Sequence, residues 1–276
     1  MKNKIRGEFI LKFLIVGDVC GRPGREAFRK YVPELKKEHN IDVVVVNGEN
    51  IAGGRGISRK TLDEIYRAGA DIVTSGNHIW DQKEIVSFID DEPFLIRPAN
   101  YPEGAPGKGY CIYPFKAKNI GVINVSGRTF MPPMDCPFQK VDEILKEIKN
   151  QCDIILVDIH AEATSEKIAM GFYLDGKVTC VVGTHTHVQT ADNRILPKGT
   201  AYISDLGMVG PYNSSLGINV NNAIDKFITC RPVRFEMAEG PNIFSAVVLE
   251  LAEDNSVKSF EKYYLTKNKE YTSIQL

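Results

Sequence analysis

The sequence predicts an α/β protein in which two packed β-sheets carry helices on their outer faces. Apolar segments of strand length alternate with segments of helix length over most of the chain, and strand-type segments follow one another after residue 232. Such alternation predicts parallel strands joined by helices, and a terminal run of strands predicts antiparallel pairs. Because no shift in composition marks a boundary, residues 1–276 are expected to form one domain, with residues 1–11 as a short N-terminal extension.

The first three predicted strands each lead through a glycine to polar side chains. These strands cover residues 13–16, 43–46 and 71–75. The polar residues that follow them are Asp18 after the first strand, Glu49 and Asn50 after the second, and Asn77 and His78 after the third. Open α/β sheets bind their ligands at the carboxyl ends of strands, so these side chains are expected to share one edge.

Helix signals occupy the gaps between these strands. A Pro-Gly pair at residue 23 opens a helix to about residue 37, and Ser58 is the expected N-cap of a helix through residue 68. Asp81 and Glu84 have the spacing of a capping box, which predicts a third helix to about residue 90.

The second half of the chain continues with strands and helices. Residues 110–115 and 120–125 predict a hairpin. The other predicted strands are residues 154–159, 178–182, 201–203, 233–238, 244–251 and 257–265, with helices to about residue 151, over 164–174 and near 221–229.

Three histidines follow two of these later strands. His160 comes directly after residues 154–159, and residues 178–182 lead into Gly183-Thr184-His185-Thr186-His187. Side chains at i and i+2 of an extended segment point to the same face, so His185 and His187 can reach one small volume. Imidazole is the commonest protein ligand of transition metals, and the pattern therefore indicates a metal site.

Seven residues that can bind metal ions thus collect at the ends of five predicted strands. They are Asp18, Glu49, Asn50, Asn77, His160, His185 and His187. This is more than one catalytic metal usually takes from protein, so the sequence predicts two ions, which Glu49 can bridge. Other roles stay open here, because Asp18 could cap a helix, Asn77 could hold a turn and His160 could be a hydrogen-bonded core histidine.

Composition limits the expected partners. The 276 residues are 43% hydrophobic and carry a formal net charge of -1, which argues against stable binding to nucleic acid. No segment approaches the ~20 apolar residues of a membrane span. The six cysteines include no Cys-x-x-Cys pair, so reduced thiols and a cytoplasmic location are expected. A homo-oligomer is compatible with these features.

The order of the motifs resembles the calcineurin-like metallophosphoesterase superfamily, whose blocks run Asp-x-His, Gly-Asp, Gly-Asn-His, His and Gly-His-x-His. The matching blocks of this chain lie between residues 13 and 187. Val19-Cys20 follows Asp18 where the superfamily has its first histidine ligand, and Glu49-Asn50 replaces its bridging aspartate. Both departures, with segments such as Gly127-Arg128-Thr129-Phe130, resemble the bacterial YmdB-like branch.

This resemblance implies a four-layer α/β/β/α sandwich of two mixed sheets and a binuclear centre that hydrolyses phosphodiesters, including cyclic nucleotides such as 2′,3′-cyclic AMP. A hydroxide bridging the metals would attack phosphorus, and His78 would be the general acid. Iron is the metal that the resemblance favours, and manganese or zinc would also suit these ligands. Asp18, Glu49, Asn50 and His187 would serve one ion, and Glu49, Asn77, His160 and His185 the other.

Two other functions stay open at this point. One is a phosphomonoesterase that uses the same site, and the other is a regulatory or RNA-contacting protein in which hydrolysis is vestigial. The near-neutral charge argues against the second function as far as it involves RNA binding, since affinity for a phosphate backbone depends on clustered Lys and Arg. His78 itself could instead be a residue that only orients a metal ligand.

Overall fold

Two β-sheets pack face to face in the structure, a computed structural model that describes residues 11–266 and 269–272. Helices cover the outer face of each sheet, and both sheets contain parallel and antiparallel pairs. The predicted four-layer α/β/β/α sandwich of two mixed sheets is therefore confirmed. Residues 1–10 of the predicted extension lie outside the described residues, and Leu11 already belongs to the first strand.

The helices and strands have the following bounds. The strands are β1 (Leu11–Val16), β2 (Asp18–Val19), β3 (Val43–Asn47), β4 (Ile72–Thr74), β5 (Tyr110–Phe115), β6 (Lys118–Ser126), β7 (Ile154–His160), β8 (Cys180–Thr184), β9 (Arg194–Ile195), β10 (Ala201–Ile203), β11 (Met208–Pro211), β12 (Asn242–Leu251), β13 (Val257–Thr266) and β14 (Lys269–Thr272). The α-helices are α1 (Gly21–His39), α2 (Arg59–Arg67), α3 (Pro137–Ile148), α4 (Thr164–Leu174) and α5 (Val220–Thr229). Among the described residues, no helix combines the length and hydropathy needed to cross a bilayer.

The first sheet has the strand order β14-β13-β12-β1-β3-β4, and β11 joins it by pairing with β12 and β2. β1, β3 and β4 are parallel, whereas β12 runs antiparallel to β1. The side chains of β3 are buried on both faces, as expected for a Val-rich strand that is covered by helices on one side and by a second sheet on the other. The parallel strands bring the polar residues that follow them to one end of this sheet.

The second sheet has the order β5-β6-β7-β8-β10-β9. β6, β7, β8 and β10 are parallel, and antiparallel strands close both edges. The predicted hairpin of residues 110–115 and 120–125 is confirmed as β5 and β6. His160 is the last residue of β7, and Thr184, the last residue of β8, lies beside it in register.

Three apolar cores hold the layers together. One lies between the first sheet and helices α1 and α2, and another lies between the second sheet and helices α3 and α4. The third fills the space between the sheets and is built from alternate residues of β1, β3, β12, β6, β7, β8 and β10. Burial of apolar surface on this scale is the main force that fixes the relative position of the two sheets.

Two sequence predictions are wrong in detail. Residues 81–90 form short 3-10 helices, Lys83–Ser87 and Ile89–Asp91, instead of an α-helix with a capping box. The Asp81 carboxylate is engaged by His78, and Glu84 accepts a hydrogen bond from the backbone N–H of Arg59, so neither acid caps this segment. Residues 233–238 form no strand, because a strand needs consecutive pairing with a neighbour and Met237 makes only an isolated bridge to Ile218.

Candidate metal centre

The seven predicted ligands come together where the two sheets meet. Four of them follow strands of the first sheet and three end or follow strands of the second. The first group is Asp18, Glu49, Asn50 and Asn77, and the second is His160, His185 and His187. Asp18 does not cap helix α1, whose N-cap is Cys20 without a side-chain hydrogen bond, so that alternative role is excluded.

One group of ligand atoms converges on His160. Its Nε2 lies 3.0 Å from Asn77 Oδ1, 3.0 Å from His185 Nδ1 and 3.2 Å from Glu49 Oε2. Its Nδ1 lies 2.9 Å from Thr184 Oγ1, which fixes the ring orientation. Glu49, His160 and His185 offer nitrogen and carboxylate atoms that lie within 4.8 Å of one another, which is close enough to surround a single ion.

A second group shares Glu49. Asp18, Glu49 and His187 also offer ligand atoms within 4.8 Å of one another. Asn50 Nδ2 donates to Glu49 Oε1 at 2.9 Å and lies 3.3 Å from His187 Nε2. The Asn50 amide therefore lies beside this second group of ligand atoms. A carboxylate between two such groups can bridge two cations and reduce their repulsion.

Two observations show that these residues fit metal ions. Asp18 Oδ1 and Asn50 Oδ1 are buried and lack a hydrogen-bond partner in the part of the chain that the structure describes, which is costly unless a cation satisfies them. A Cβ on Gly76 would lie 2.3 Å from His160 Nε2 and 2.4 Å from Glu49 Oε2. Only glycine therefore leaves this volume open beside the ligand atoms.

Charges at the centre are strongly perturbed. Burial disfavours the charged form of His160, but the facing Glu49 together with Asp18 and Asp158 outweighs burial and raises the histidine pKa to about 9. Burial likewise opposes ionisation of Glu49, but His160 together with the charge and backbone N–H of His78 outweighs burial and lowers the carboxyl pKa to about 2. Burial, supported by the charge of His160, lowers the pKa of His185 to about 3 and keeps it neutral. The Glu49–His160 contact thus stabilises the charged forms of both side chains.

A buried ion pair supports the loop that carries His185 and His187. Both residues have left-handed backbone, with φ of 98° and 65°, which side-chain-bearing residues adopt only when their surroundings enforce it. Asp205 Oδ2 accepts hydrogen bonds from the Thr186 backbone N–H at 3.0 Å and hydroxyl at 2.7 Å. Lys167 Nζ donates to the same carboxylate at 2.6 Å, and both side chains of the pair are 1% exposed.

Lys167→Met is expected to lower the free energy of unfolding by about 3–5 kcal/mol, because it leaves a buried carboxylate without its counter-charge. The metal content should fall as well, since Asp205 would no longer fix the histidine loop. Urea denaturation and elemental analysis measure the two effects. The matched control is Lys140→Met, which breaks a 2.6 Å pair with Glu143 at the surface and should cost less than about 1 kcal/mol. Equal losses in both variants would contradict the supporting role.

His78 lines the cavity of about 270 Å³ that opens beside the ligand groups. Its backbone N–H donates to Glu49 Oε2 at 3.2 Å, and its Nδ1 lies 2.9 Å from Asp81 Oδ2. The side chain is 26% exposed, so it can reach a bound molecule from the solvent side of the centre. The ring is thus held by a carboxylate at one nitrogen, which leaves Nε2 for proton transfer.

Two residues at the centre were not singled out from the sequence. Cys20 Sγ lies 3.7 Å from His187 Nδ1, and Glu162 Oε2 lies 3.2 Å from His185 Nε2. Burial raises the pKa of the Cys20 thiol, with the neighbouring Asp18 and Glu49 adding to the shift, so the thiol stays protonated. Glu162 could have been suspected, because it follows His160 by two residues. Cys20 could have been suspected as well, because it stands two residues after Asp18, at the position of the superfamily's first histidine ligand.

Two packed mixed sheets with carboxylate, amide and histidine side chains at their strand ends define a calcineurin-like metallophosphoesterase. The family model described as YmdB-like protein matches residues 14–263. The chain belongs to this YmdB-like family.

Comparison with known proteins gives the same family. The chain is 51% identical over 249 residues to the 2′,3′-cyclic-nucleotide 2′-phosphodiesterase of Bacillus subtilis strain 168, covering 90% of this chain and 94% of that protein. The crystal structure of a hypothetical protein from Thermus thermophilus has a TM-score of 0.88 at 40% identity, covering 93% of this chain and 99% of the other. The crystal structure of a novel phosphatase from Mycoplasma pneumoniae has a TM-score of 0.89 at 34% identity, covering 94% of each chain.

Proposed function

We infer that this metallophosphoesterase is a binuclear phosphodiesterase and that its substrates are cyclic nucleotides such as 2′,3′-cyclic AMP. The observation that carries this inference is the pair of ligand groups that share Glu49 and face one cavity with His78. The Bacillus subtilis relative is named 2′,3′-cyclic-nucleotide 2′-phosphodiesterase, and this name supports cyclic nucleotides as the substrate class.

The seven candidate ligands are assigned to two ions according to the two groups of ligand atoms described above. We assign Asp18, Glu49, Asn50 and His187 to one ion, and Glu49, Asn77, His160 and His185 to the other. Bound metal ions would supply Lewis acidity toward phosphoryl oxygens and a nucleophilic water of lowered pKa. Neutral imidazole, carboxylate and amide ligands suit iron, and they also suit manganese or zinc.

His78 serves as the general acid in this proposal. Asp81 orients the ring through Nδ1, so that Nε2–H can protonate the departing ester oxygen. Asn77 and His78 are adjacent in sequence but differ in surroundings. Asn77 Oδ1 lies 3.0 Å from His160 Nε2, whereas the His78 ring contacts Asp81 and lines the cavity.

A diester is expected to have a higher kcat/KM than its matched monoester. A monoester carries one more negative charge, and Arg55 is the one Lys or Arg side chain among the described residues that line the cavity, which also contains Glu162. The test compares bis(p-nitrophenyl) phosphate with p-nitrophenyl phosphate at saturating manganese or iron. Faster cleavage of the monoester would make a phosphomonoesterase on the same site the better conclusion.

A further inference from the structure

The cavity at the metal centre has two chemically different parts. One part is formed by His78 and four of the predicted ligands, Glu49, Asn50, His185 and His187, to which metal binding and proton transfer are assigned above. The other part contains three apolar side chains, Leu216, Ile218 and Met237, which we call the apolar flap. Neither metal binding nor proton transfer needs these three side chains, so they are available to another part of a bound molecule.

The apolar flap is fixed to the metal centre through the backbone. Residues 217–219 pair with residues 236–238 through hydrogen bonds of 2.8 and 2.9 Å. Leu216 has a left-handed φ of 55°, and its carbonyl oxygen lies 3.1 Å from His187 Nδ1. This contact places the flap directly beside His187, so a molecule held at the centre by its phosphate can extend toward the flap.

The flap presents apolar surface to the cavity. The Leu216 side chain is 50% exposed. Met237 lies against Gly54, where a Cβ would come within 2.6 Å of Met237 Sδ, so the glycine leaves the space that the thioether occupies. Arg55, the next residue of that loop, also lines the cavity. A ligand that covers this apolar surface gains binding free energy from its removal from water.

A planar aromatic ring matches these groups best. The sulfur of Met237 can make favourable contacts with an aromatic ring, and branched Leu216 and Ile218 offer a surface for a flat apolar face. The guanidinium of Arg55 can stack on such a ring or contact its polar edge. A nucleobase has both an apolar face and polar edges, and in a nucleoside cyclic phosphate the ribose joins it to the phosphate.

We propose that the apolar flap binds the nucleobase of a nucleoside 2′,3′-cyclic phosphate whose phosphate lies at the metal centre. This proposal rests on the phosphodiesterase function inferred above. The flap then gives nucleoside cyclic phosphates an advantage over cyclic diesters that lack a base. The metal centre and His78 act on the phosphate of both kinds of substrate.

The test uses two cyclic diesters that differ in the base. Metal-loaded protein is given 2′,3′-cyclic AMP or glycerol 1,2-cyclic phosphate, which has the same five-membered cyclic ester and no base. Leu216→Ala and Met237→Ala should each lower kcat/KM for 2′,3′-cyclic AMP about tenfold, mainly through KM, because each removes apolar contact with the base. The same variants should hydrolyse glycerol 1,2-cyclic phosphate within about twofold of wild type, since the removed contacts are with the base.

Ile224→Ala is the matched control. Ile224 is 49% exposed on helix α5 and does not line the cavity, so this variant should leave kcat/KM unchanged for both substrates. Equal losses on both diesters in the flap variants, or a wild type that shows no preference for the nucleotide, would overturn the base-binding role while leaving the phosphodiesterase function in place.

A binding measurement separates the two proposals if neither diester is cleaved. That result would refute the proposed phosphodiesterase function, and calorimetry with adenosine 3′-monophosphate and glycerol phosphate would still test the flap. Tighter binding of the nucleotide that weakens about tenfold in Leu216→Ala supports the base site. Equal affinity for the two phosphates in wild type rejects it.

Discussion

His78→Ala is expected to lower kcat for 2′,3′-cyclic AMP about 10²–10⁴-fold, the range for loss of a general acid, while metal content and fold are retained. His78 contributes only its backbone N–H to Glu49, and alanine keeps that hydrogen bond. Its ring contacts Asp81 instead of the ligand atoms of the two groups. Removal of the ring should therefore affect proton transfer and not metal assembly.

The leaving group provides the sharpest readout for His78. A p-nitrophenolate ion departs with little need for a proton, whereas a ribose hydroxyl needs one, so the loss should be much smaller for bis(p-nitrophenyl) phosphate. Steady-state kinetics on both substrates, together with elemental analysis, make the comparison. His185→Ala serves as the contrast and should lose metal and activity together for every leaving group. A His78→Ala protein whose metal content falls in step with its activity would refute the general-acid role.

Glu49→Ala is expected to remove both metal ions and with them the activity. Wild type should hold about two ions per chain, as two-metal hydrolases do. Glu49 belongs to both ligand groups, so its loss weakens both sites at once. The loss of affinity should exceed the about 10–100-fold that follows removal of a partner outside the ligand set. Elemental analysis after loading and gel filtration measures the occupancy.

Glu162→Gln is the matched control for Glu49. Its carboxylate lies 3.2 Å from His185 Nε2 but is 49% exposed and belongs to neither ligand group. This variant should keep both ions. A metal-replete wild type with one ion or fewer, or a Glu49→Ala protein that loses only one of two ions, would contradict the shared-ligand arrangement.

Much of the sandwich follows from local patterns in the chain. Residues 43–46 are four consecutive valines, and such a run forms a buried strand wherever both of its faces are covered. The glycines and polar residues after each strand then fall at one edge because the strands are parallel. For that reason the ligand candidates could be assembled from the sequence without knowledge of their distances.

The features that escaped prediction depend on partners distant in the chain. Lys167 lies on a helix, where a lysine is usually solvated, and nothing nearby in sequence indicates that its charge is buried against Asp205. The apolar flap likewise depends on pairing of residues 217–219 with 236–238. Asp81 could cap a helix or bind His78, and local spacing does not decide between two such hydrogen bonds.

Each sheet supplies part of the candidate ligand set, so a cation bound there would cross-link the two sheets reversibly. Metal binding and folding would then be linked equilibria. At a free metal concentration of about a hundred times Kd, binding would add about 2.7 kcal/mol to the free energy of unfolding. In a cell short of the metal, more of the chains would unfold and be degraded by proteases. The activity of each remaining chain would fall as well. The abundance of this protein would thereby follow the supply of its metal.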